Sequence, residues 1–322
     1  MEPRIGIVTY GNDGHGHLIR KKLEEQHGAW CCLIPSDELA LRGGLDWSSE
    51  DGAPARLPTS DGPTVDVRTL DALWYRRTTV RQTLPEGVDP AYELHIYKSI
   101  ERVVEGILLD GFAGRWISHP AATVRAENKL VQLRAAQRAG LRIPATLVGQ
   151  EPAAIRRFCA AHPGAIIKPV ATPRGVEVVQ TAVVSRELLE QDDVLALAPA
   201  IYQEQVPGAR HLRVTVFGDR CVAAMITADR LDWRLDLTVP FRGCELDVAL
   251  ERKLRATLRD LGLVMGIFDL KLTDDGEPVF LEVNSQGQFL FVEALCDLPL
   301  GDLFAAFLVE QATGPRSLSI AR

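Results

Sequence analysis

Two runs decide how this 322-residue chain is read: Phe268-Asp269-Leu270-Lys271-Leu272 and, beyond Asp274-Asp275-Gly276, Phe280-Leu281-Glu282-Val283-Asn284. Both alternate side chains with the two-residue period of a strand, and the intervening Asp-Asp-Gly predicts a tight reversal. With unbroken alternation, Glu282 and Asn284 share one face, and Asp269 lies opposite them on the paired strand. Two carboxylates and an amide oxygen, with no cysteine or histidine nearby, are hard ligands suited to Mg²⁺ held jointly with substrate phosphates. The same pattern also describes an amphipathic hairpin with a polar outer face. Residues elsewhere in the chain bear on that choice.

Only seven of the 36 basic residues are lysines, and one of them, Lys168, interrupts the apolar strand Ala165-Ile166-Ile167-Lys168-Pro169-Val170. A charge in such a run either faces solvent or meets a buried anion, and phosphate is the natural partner. The following Ala171-Thr172-Pro173-Arg174-Gly175-Val176 reads as a turn able to cover phosphates. Lys129, in Glu127-Asn128-Lys129, is either a second phosphate ligand or a solvated helix charge. Tyr202-Gln203-Glu204-Gln205-Val206 ends a strand where an adenine edge can be read. Arg213 lies among Leu212, Val214 and Val216, and its planar fork suits a transferring phosphoryl group.

The formal charge of −7 and pI near 5.6 exclude a global positive field for nucleic acid. No apolar run reaches about 18 residues, the length of a membrane span, and the first residues lack a secretory pattern, so a cytoplasmic location is expected. Six dispersed cysteines without metal spacing read as reduced packing residues. Gly11-Asn12-Asp13-Gly14-His15-Gly16-His17 tempts a metal or dinucleotide reading. It lacks the G-x-G-x-x-G spacing and a full ligand set, so a turn capping a helix is expected.

Strand, helix and strand signals through Arg115-Trp116-Ile117-Ser118 predict a β-α-β domain over residues 1–118, with a loop excursion from Arg42 to Val65. The pattern changes at His119-Pro120. Residues 119–204 form a central lobe that starts with one helix over Thr123 to Gly140 and includes strands at Ala165 to Val170, Val176 to Val179 and Ile201 to Glu204. Residues 205–322 form a C-terminal lobe with hairpins around Gly218-Asp219 and Asp274-Asp275-Gly276, a helix from Asp247 to Leu261, and a closing helix from Asp302 to Gln311.

The order Lys129, Lys168, Gln203 to Val206, Arg213, Asp269, Glu282 and Asn284 resembles the ATP-grasp superfamily, from His119 onward. The resemblance implies an α/β fold with two α+β lobes behind a pre-ATP-grasp domain, and ATP and Mg²⁺ as cofactors. It implies Lys129 and Lys168 on the phosphates, Gln203, Glu204, Gln205 and Val206 at the adenine and ribose, and Mg²⁺ on Asp269, Glu282 and Asn284. Trp74-Tyr75-Arg76-Arg77, Asp232-Trp233-Arg234 and Glu282-Val283-Asn284-Ser285-Gln286-Gly287-Gln288-Phe289-Leu290 further resemble the graspetide synthetase branch, the macrocyclases of microviridin-type peptides. Ser285 and Phe289 depart from the proline and tryptophan that branch often carries, and His211-Leu212 replaces its commoner acidic pair.

That branch implies a cytoplasmic homodimer whose partner is a ribosomal precursor peptide with acidic core residues. Its reaction is phosphorylation of an acidic side chain, followed by ester or amide ring closure. Lys168, Arg213 and Arg234 are then the expected catalytic residues. Arg76, Arg77, Asp232 and Arg234 are expected to hold the peptide, since guanidinium pairs bidentately with carboxylate; alternatively two of the three arginines form structural salt bridges, a reading that serves equally well for Arg77 because neighbouring strand residues face opposite ways. Two other readings stay open. One is an ATP-grasp ligase joining an amino acid to a small carboxylate or protein terminus; the other is a nucleotide-binding regulatory protein without turnover.

Overall fold

The computed structural model describes residues 2–50, 52–78, 82–171 and 181–314, which form two compact units, 1–120 with 299–322 and 121–298. The first unit opens with β1 (Arg4–Thr9), α1 (Gly14–His27) and β2 (Trp30–Pro35), then α2 (Leu39–Arg42) and a hairpin of β3 (Arg56–Pro58) and β4 (Thr64–Asp66). β5 (Ala72–Tyr75), α3 (Glu93–Gly111) and β6 (Arg115–Ile117) follow. The strands make a parallel sheet in the order β2-β1-β5-β6. Ile5, Ile7, Val8, Leu33 and Ile34 are all buried, as parallel strands covered on both faces require. The β3-β4 hairpin lies within the stretch expected to be a loop: its three-residue strands are too short to show a period.

Asp13 caps α1, accepting from the His15 and Gly16 backbone N–H groups, and Gly28 ends the helix in the left-handed region, where no Cβ intrudes. His17 Nε2 lies 2.8 Å from the Gly11 carbonyl oxygen. The His-x-His stretch is therefore a capped turn, as expected. Arg76 is buried with its Nε donating to Asp13 at 2.6 Å and its guanidinium 4.9 Å from the Trp74 ring. Cys31 and Cys32 are free and buried, and burial pushes the Cys32 thiol up to about 12. They are inert packing residues, as expected.

The second unit begins with α4 (Pro120–Glu127) and α5 (Lys129–Arg138). The single helix expected over Thr123 to Gly140 is thus two. Asn128 leaves helical geometry at φ −76°, ψ 112°, and its side chain caps α5 by accepting from the Leu130 and Val131 N–H groups. Next come β7 (Thr146–Gly149), α6 (Pro152–Ala161), β8 (Ile166–Pro169), β9 (Ala182–Val183), α7 (Arg186–Leu189), α8 (Asp192–Leu197) and β10 (Ala200–Gln203). Their strands make an antiparallel sheet, β7-β10-β8-β9, over a small core of Ile155, Leu195 and Tyr202. The expected strand Val176 to Val179 and nearly all of the expected phosphate-covering turn fall within 172–180, outside the described residues.

The larger sheet contains β11 (Arg210–Phe217), β12 (Arg220–Thr227), β13 (Phe241–Cys244), β14 (Met265–Leu272) and β15 (Pro278–Asn284), in the order β13-β12-β11-β14-β15. α9 (Val248–Leu261) and α5 cover one face of it, where Leu212, Val214, Phe268, Leu270, Phe280 and Val283 join Leu133, Leu254 and Leu258 in one core. α5 therefore packs on the C-terminal sheet, although its sequence position suggested the central lobe. α10 (Leu290–Cys296) follows, and then α11 (Leu300–Thr313), which packs on α1 within the first unit. The C-terminal lobe expected to run to residue 322 thus ends near Leu298. Phe304 of α11 is wholly buried, with its ring centroid 4.5 Å from that of Trp74. No helix among the described residues is long and apolar enough to cross a membrane.

The Asn128 cap both starts α5 and fixes where Lys129 emerges. Asn128→Ala is expected to cost about 1 kcal/mol, read as a lower thermal midpoint by circular dichroism, whereas Asn128→Asp keeps the cap and the midpoint.

Candidate active site

The face of the large sheet opposite α5 and α9 carries the residues that alternation sends the other way: His211 and Arg213 on β11, and Asp269 and Lys271 on β14. β15 departs from the unbroken alternation expected of it. Its register moves from Leu270 opposite Phe280 to Asp269 opposite Glu282, leaving Leu281 as an extra residue in a β-bulge. Phe280 and Val283 both enter the helix-covered core, while Leu281 and Glu282 both line a cavity on the other face. Without the bulge Glu282 would share the face of Phe280. The bulge therefore re-aims it to meet Asp269, with Asn284 two residues on.

The cavity measures about 440 Å³ and is walled by Lys129, Lys168, Gln203, Val206, Leu231 and Asp232 besides the carboxylates. Asp269 is 8 % exposed and accepts twice from Arg213 Nη1, at 2.7 and 3.0 Å. Arg213 Nη2 donates to the Gln288 carbonyl at 2.9 Å, its guanidinium lies 5.6 Å from the Trp233 ring and 5.3 Å from Phe291, and its buried Nε has no acceptor among the described residues. Burial raises the Asp269 pKa, with the Arg213 charge opposing the shift. Asn284 Nδ2 donates to Asp269 Oδ2 at 3.3 Å, which places the Asn284 amide beside Asp269.

Glu282 accepts from Lys129 Nζ at 2.6 Å and from Arg234 Nη1 at 3.3 Å. Burial pushes its carboxyl up, but Lys129, Arg234 and Lys168 together hold it down to about 2. Arg234 also grips Asp232 through Nε and Nη2, both at 2.8 Å, and Asp232 caps the short turn Trp233–Leu235. Lys168 Nζ donates to Gln203 Oε1 at 2.8 Å, and Gln203 donates to the Thr146 hydroxyl across three strands. Burial and the Lys129 charge lower the Lys168 pKa to about 8. Glu204 and Gln205 line the same cavity, the Glu204 carboxylate receiving the Ala145 N–H at 3.0 Å.

Lys129, Lys168, Gln203 to Val206, Asp232, Arg234, Asp269 and Glu282 therefore surround one cavity as read from the sequence, with Arg213 and Asn284 bound to Asp269 beside it. Arg76 and Arg77 belong to the first unit, where Arg76 is engaged by Asp13 and Arg77 is half-buried. The sequence reading missed three features. Gln132, one turn beyond Lys129, donates to the Ala126 and Val283 carbonyls and accepts from the Val283 N–H, locking α5 to β15. Trp233 had been noted only within a motif, yet it walls the cavity and backs Arg213. His211 and Lys271 also line the cavity, and their signal was available: each stands two residues from a predicted site residue on the same strand.

Among the described residues no three His, Cys, Asp or Glu side chains cluster as a metal site. Two carboxylates and one amide oxygen fit a Mg²⁺ that shares its coordination with phosphate oxygens, and do not fit a closed structural metal centre.

Residues 4–123 match the family model described as the MvdD pre-ATP grasp domain. Among solved structures, macrocyclase MdnC bound with precursor peptide MdnA from Microcystis aeruginosa MRC superposes with a TM-score of 0.86 and 26 % identity, over 95 % of this chain and 99 % of that one. Macrocyclase MdnB from the same organism gives 0.78 and 26 %, with the same coverage. A Chryseobacterium gregarium RiPP-associated ATP-grasp ligase, in complex with ADP and a leader and core peptide, gives 0.85 and 24 %, over 98 % of each chain. No curated protein sequence matches the chain.

Removing one member of the buried Arg213–Asp269 pair leaves the other charge uncompensated. Asp269→Ala is expected to destabilise the protein by about 3 kcal/mol in urea unfolding. The double variant Arg213→Met/Asp269→Leu should recover most of that loss.

Proposed function

We propose that this chain, an ATP-grasp protein behind a pre-ATP-grasp domain of the MvdD type, is an ADP-forming ligase that closes side-chain ester or amide rings in a ribosomal precursor peptide. The observation that carries the reading is one cavity in which buried Asp269 and half-buried Glu282 meet Lys129, Lys168 and Arg234, with Arg213 paired to Asp269 beside it. Four cations against these acids make a seat for a polyphosphate, and the carboxylates supply the hard oxygen donors. The likeness to macrocyclases over nearly the whole chain supports a peptide substrate.

Carboxylates are poor electrophiles, so the reaction begins by making one into an acyl donor. A carboxylate oxygen of the peptide attacks the γ-phosphorus, the bond to the bridging oxygen breaks, and ADP leaves. A hydroxyl or amine of the peptide then attacks the acyl carbon, loses its proton, and inorganic phosphate departs with the carbon–oxygen electron pair. One water is lost from the peptide per ring. Lys129 and Lys168 bind phosphate oxygens, and Arg213, whose Nε has no acceptor among the described residues, braces the transferring group. Mg²⁺ held by Asp269, Glu282 and Asn284 supplies neutralisation of phosphate charge. Arg234, gripped by Asp232, orients the acidic side chain of the peptide. Six free cysteines support a cytoplasmic location, and a homodimer is carried with the same reading.

The protein, incubated with ATP, Mg²⁺ and the precursor encoded nearest its gene, should remove one water per ring by intact-peptide mass, and Glu282→Ala should abolish the change. Unchanged peptide mass with ADP release stimulated by free amino acids would favour the small-substrate ligase. No ADP release with any acceptor would favour the regulatory reading.

Glu282 is covered by Lys129, so a metal ion arriving without nucleotide must displace a cation to bind. Lys129→Ala is expected to tighten Mn²⁺ binding without nucleotide several-fold in paramagnetic titration, while weakening ATP binding at least tenfold.

A further inference from the structure

One pair of the same sheet face has no part in the reaction just described. Lys271 and His211 are register partners on β14 and β11, directly beside the Asp269–Arg213 pair. Both line the cavity, at 9 % and 3 % exposure. Lys271 Nζ lies 3.3 Å from His211 Nε2, and this imidazole nitrogen is its one hydrogen-bond partner among the described residues; the Asp229 carboxylate acts on it only through its charge. The His211 ring gives its N–H to the Ala228 carbonyl and stays neutral, since burial and Lys271 hold its pKa near 4. The pair thus bears a single positive charge, with two ammonium N–H groups left for the cavity.

A buried ammonium bonded only to a neutral ring is costly unless another acceptor arrives. Two residues along an extended strand separate the Lys271 and Asp269 backbones by about 7 Å, close to the span from the bridging phosphates to the sugar of a nucleoside triphosphate. Around Lys271 the walls change, from the cations of the phosphate end to Val206 and Leu231, with the oppositely charged Asp229 and Arg230 at the neighbouring rim. A group there that accepts hydrogen bonds without bringing a formal charge is a sugar hydroxyl.

We infer that Lys271, oriented by His211, reads the ribose hydroxyls of the nucleotide and makes this protein select ribonucleotides over deoxyribonucleotides. Lys271 is a specificity-determining residue, and His211 is the positioning residue that aims it. The inference rests on the ATP-grasp reading of the cavity.

Calorimetric titration of the full chain with ATP, 2′-deoxy-ATP and 3′-deoxy-ATP, each with Mg²⁺, tests it. The wild-type protein should bind at least one deoxy analogue about tenfold more weakly than ATP, the worth of one charge-assisted hydrogen bond. Lys271→Met should bring ATP down to that analogue while leaving the analogue's affinity unchanged, and His211→Phe should narrow the gap. Equal wild-type affinity for all three nucleotides would overturn the inference without any variant. So would Lys271→Met weakening all three in parallel, which would mark Lys271 as a phosphate ligand. Failure of every nucleotide to bind would instead sink the ATP-grasp reading itself.

Discussion

Two carboxylates out of water on one face of one sheet are the constraint around which this site is organised. Asp269 and Glu282 sit opposite each other on neighbouring strands, and left alone they would repel in a medium that screens poorly. Cations from separate elements answer them. Arg213 comes from the adjacent strand, Lys129 from the first turn of a helix, Lys168 from the smaller sheet and Arg234 from a capped turn. The cations outnumber the two acids, with Asp269 accepting twice from Arg213 Nη1 and Glu282 from two separate donors. An arrangement that satisfies its acids with lysine and arginine side chains can hand those cations over to an incoming polyphosphate.

Rigid parts hold these groups in place. The bulge at Leu281 turns Glu282 out of the hydrophobic core and towards Asp269, and Gln132 ties α5 to β15 through two hydrogen bonds to Val283, one turn from Lys129. On the far face, α5 and α9 bury a continuous apolar layer, so the strands carrying the site cannot shift without disturbing the core. Trp233 and Phe291 place aromatic faces towards Arg213, limiting where its guanidinium can go. A similar economy appears in the first unit, where Asp13 both caps α1 and pairs with buried Arg76.

Position along the chain and position in the fold part company at two places. α5 follows directly from the first unit yet packs on the C-terminal sheet, and α11 closes the chain yet packs on α1. Each follows its apolar face to the surface that can bury it. Sequence proximity sets only which elements meet early, whereas burial decides which stay together.

What the sequence by itself determined is what short-range patterns encode. The parallel unit, both hairpins and the α9 helix are legible from periodicity and turn residues, and the chemistry of Lys168, Arg213, Asp269, Glu282 and Asn284 from charged residues in apolar strands. The break at Asn128 was written in its capping chemistry, but the helical period on both sides hid it. Tertiary structure alone decided the bulge, because an extra residue in one strand shows only when its partner is in place. It also decided that Lys129 meets Glu282, that Gln132 is a clamp, and that Lys271 stands against His211. Those outcomes depend on distances between residues more than 50 positions apart, which chain folding sets and local sequence does not carry.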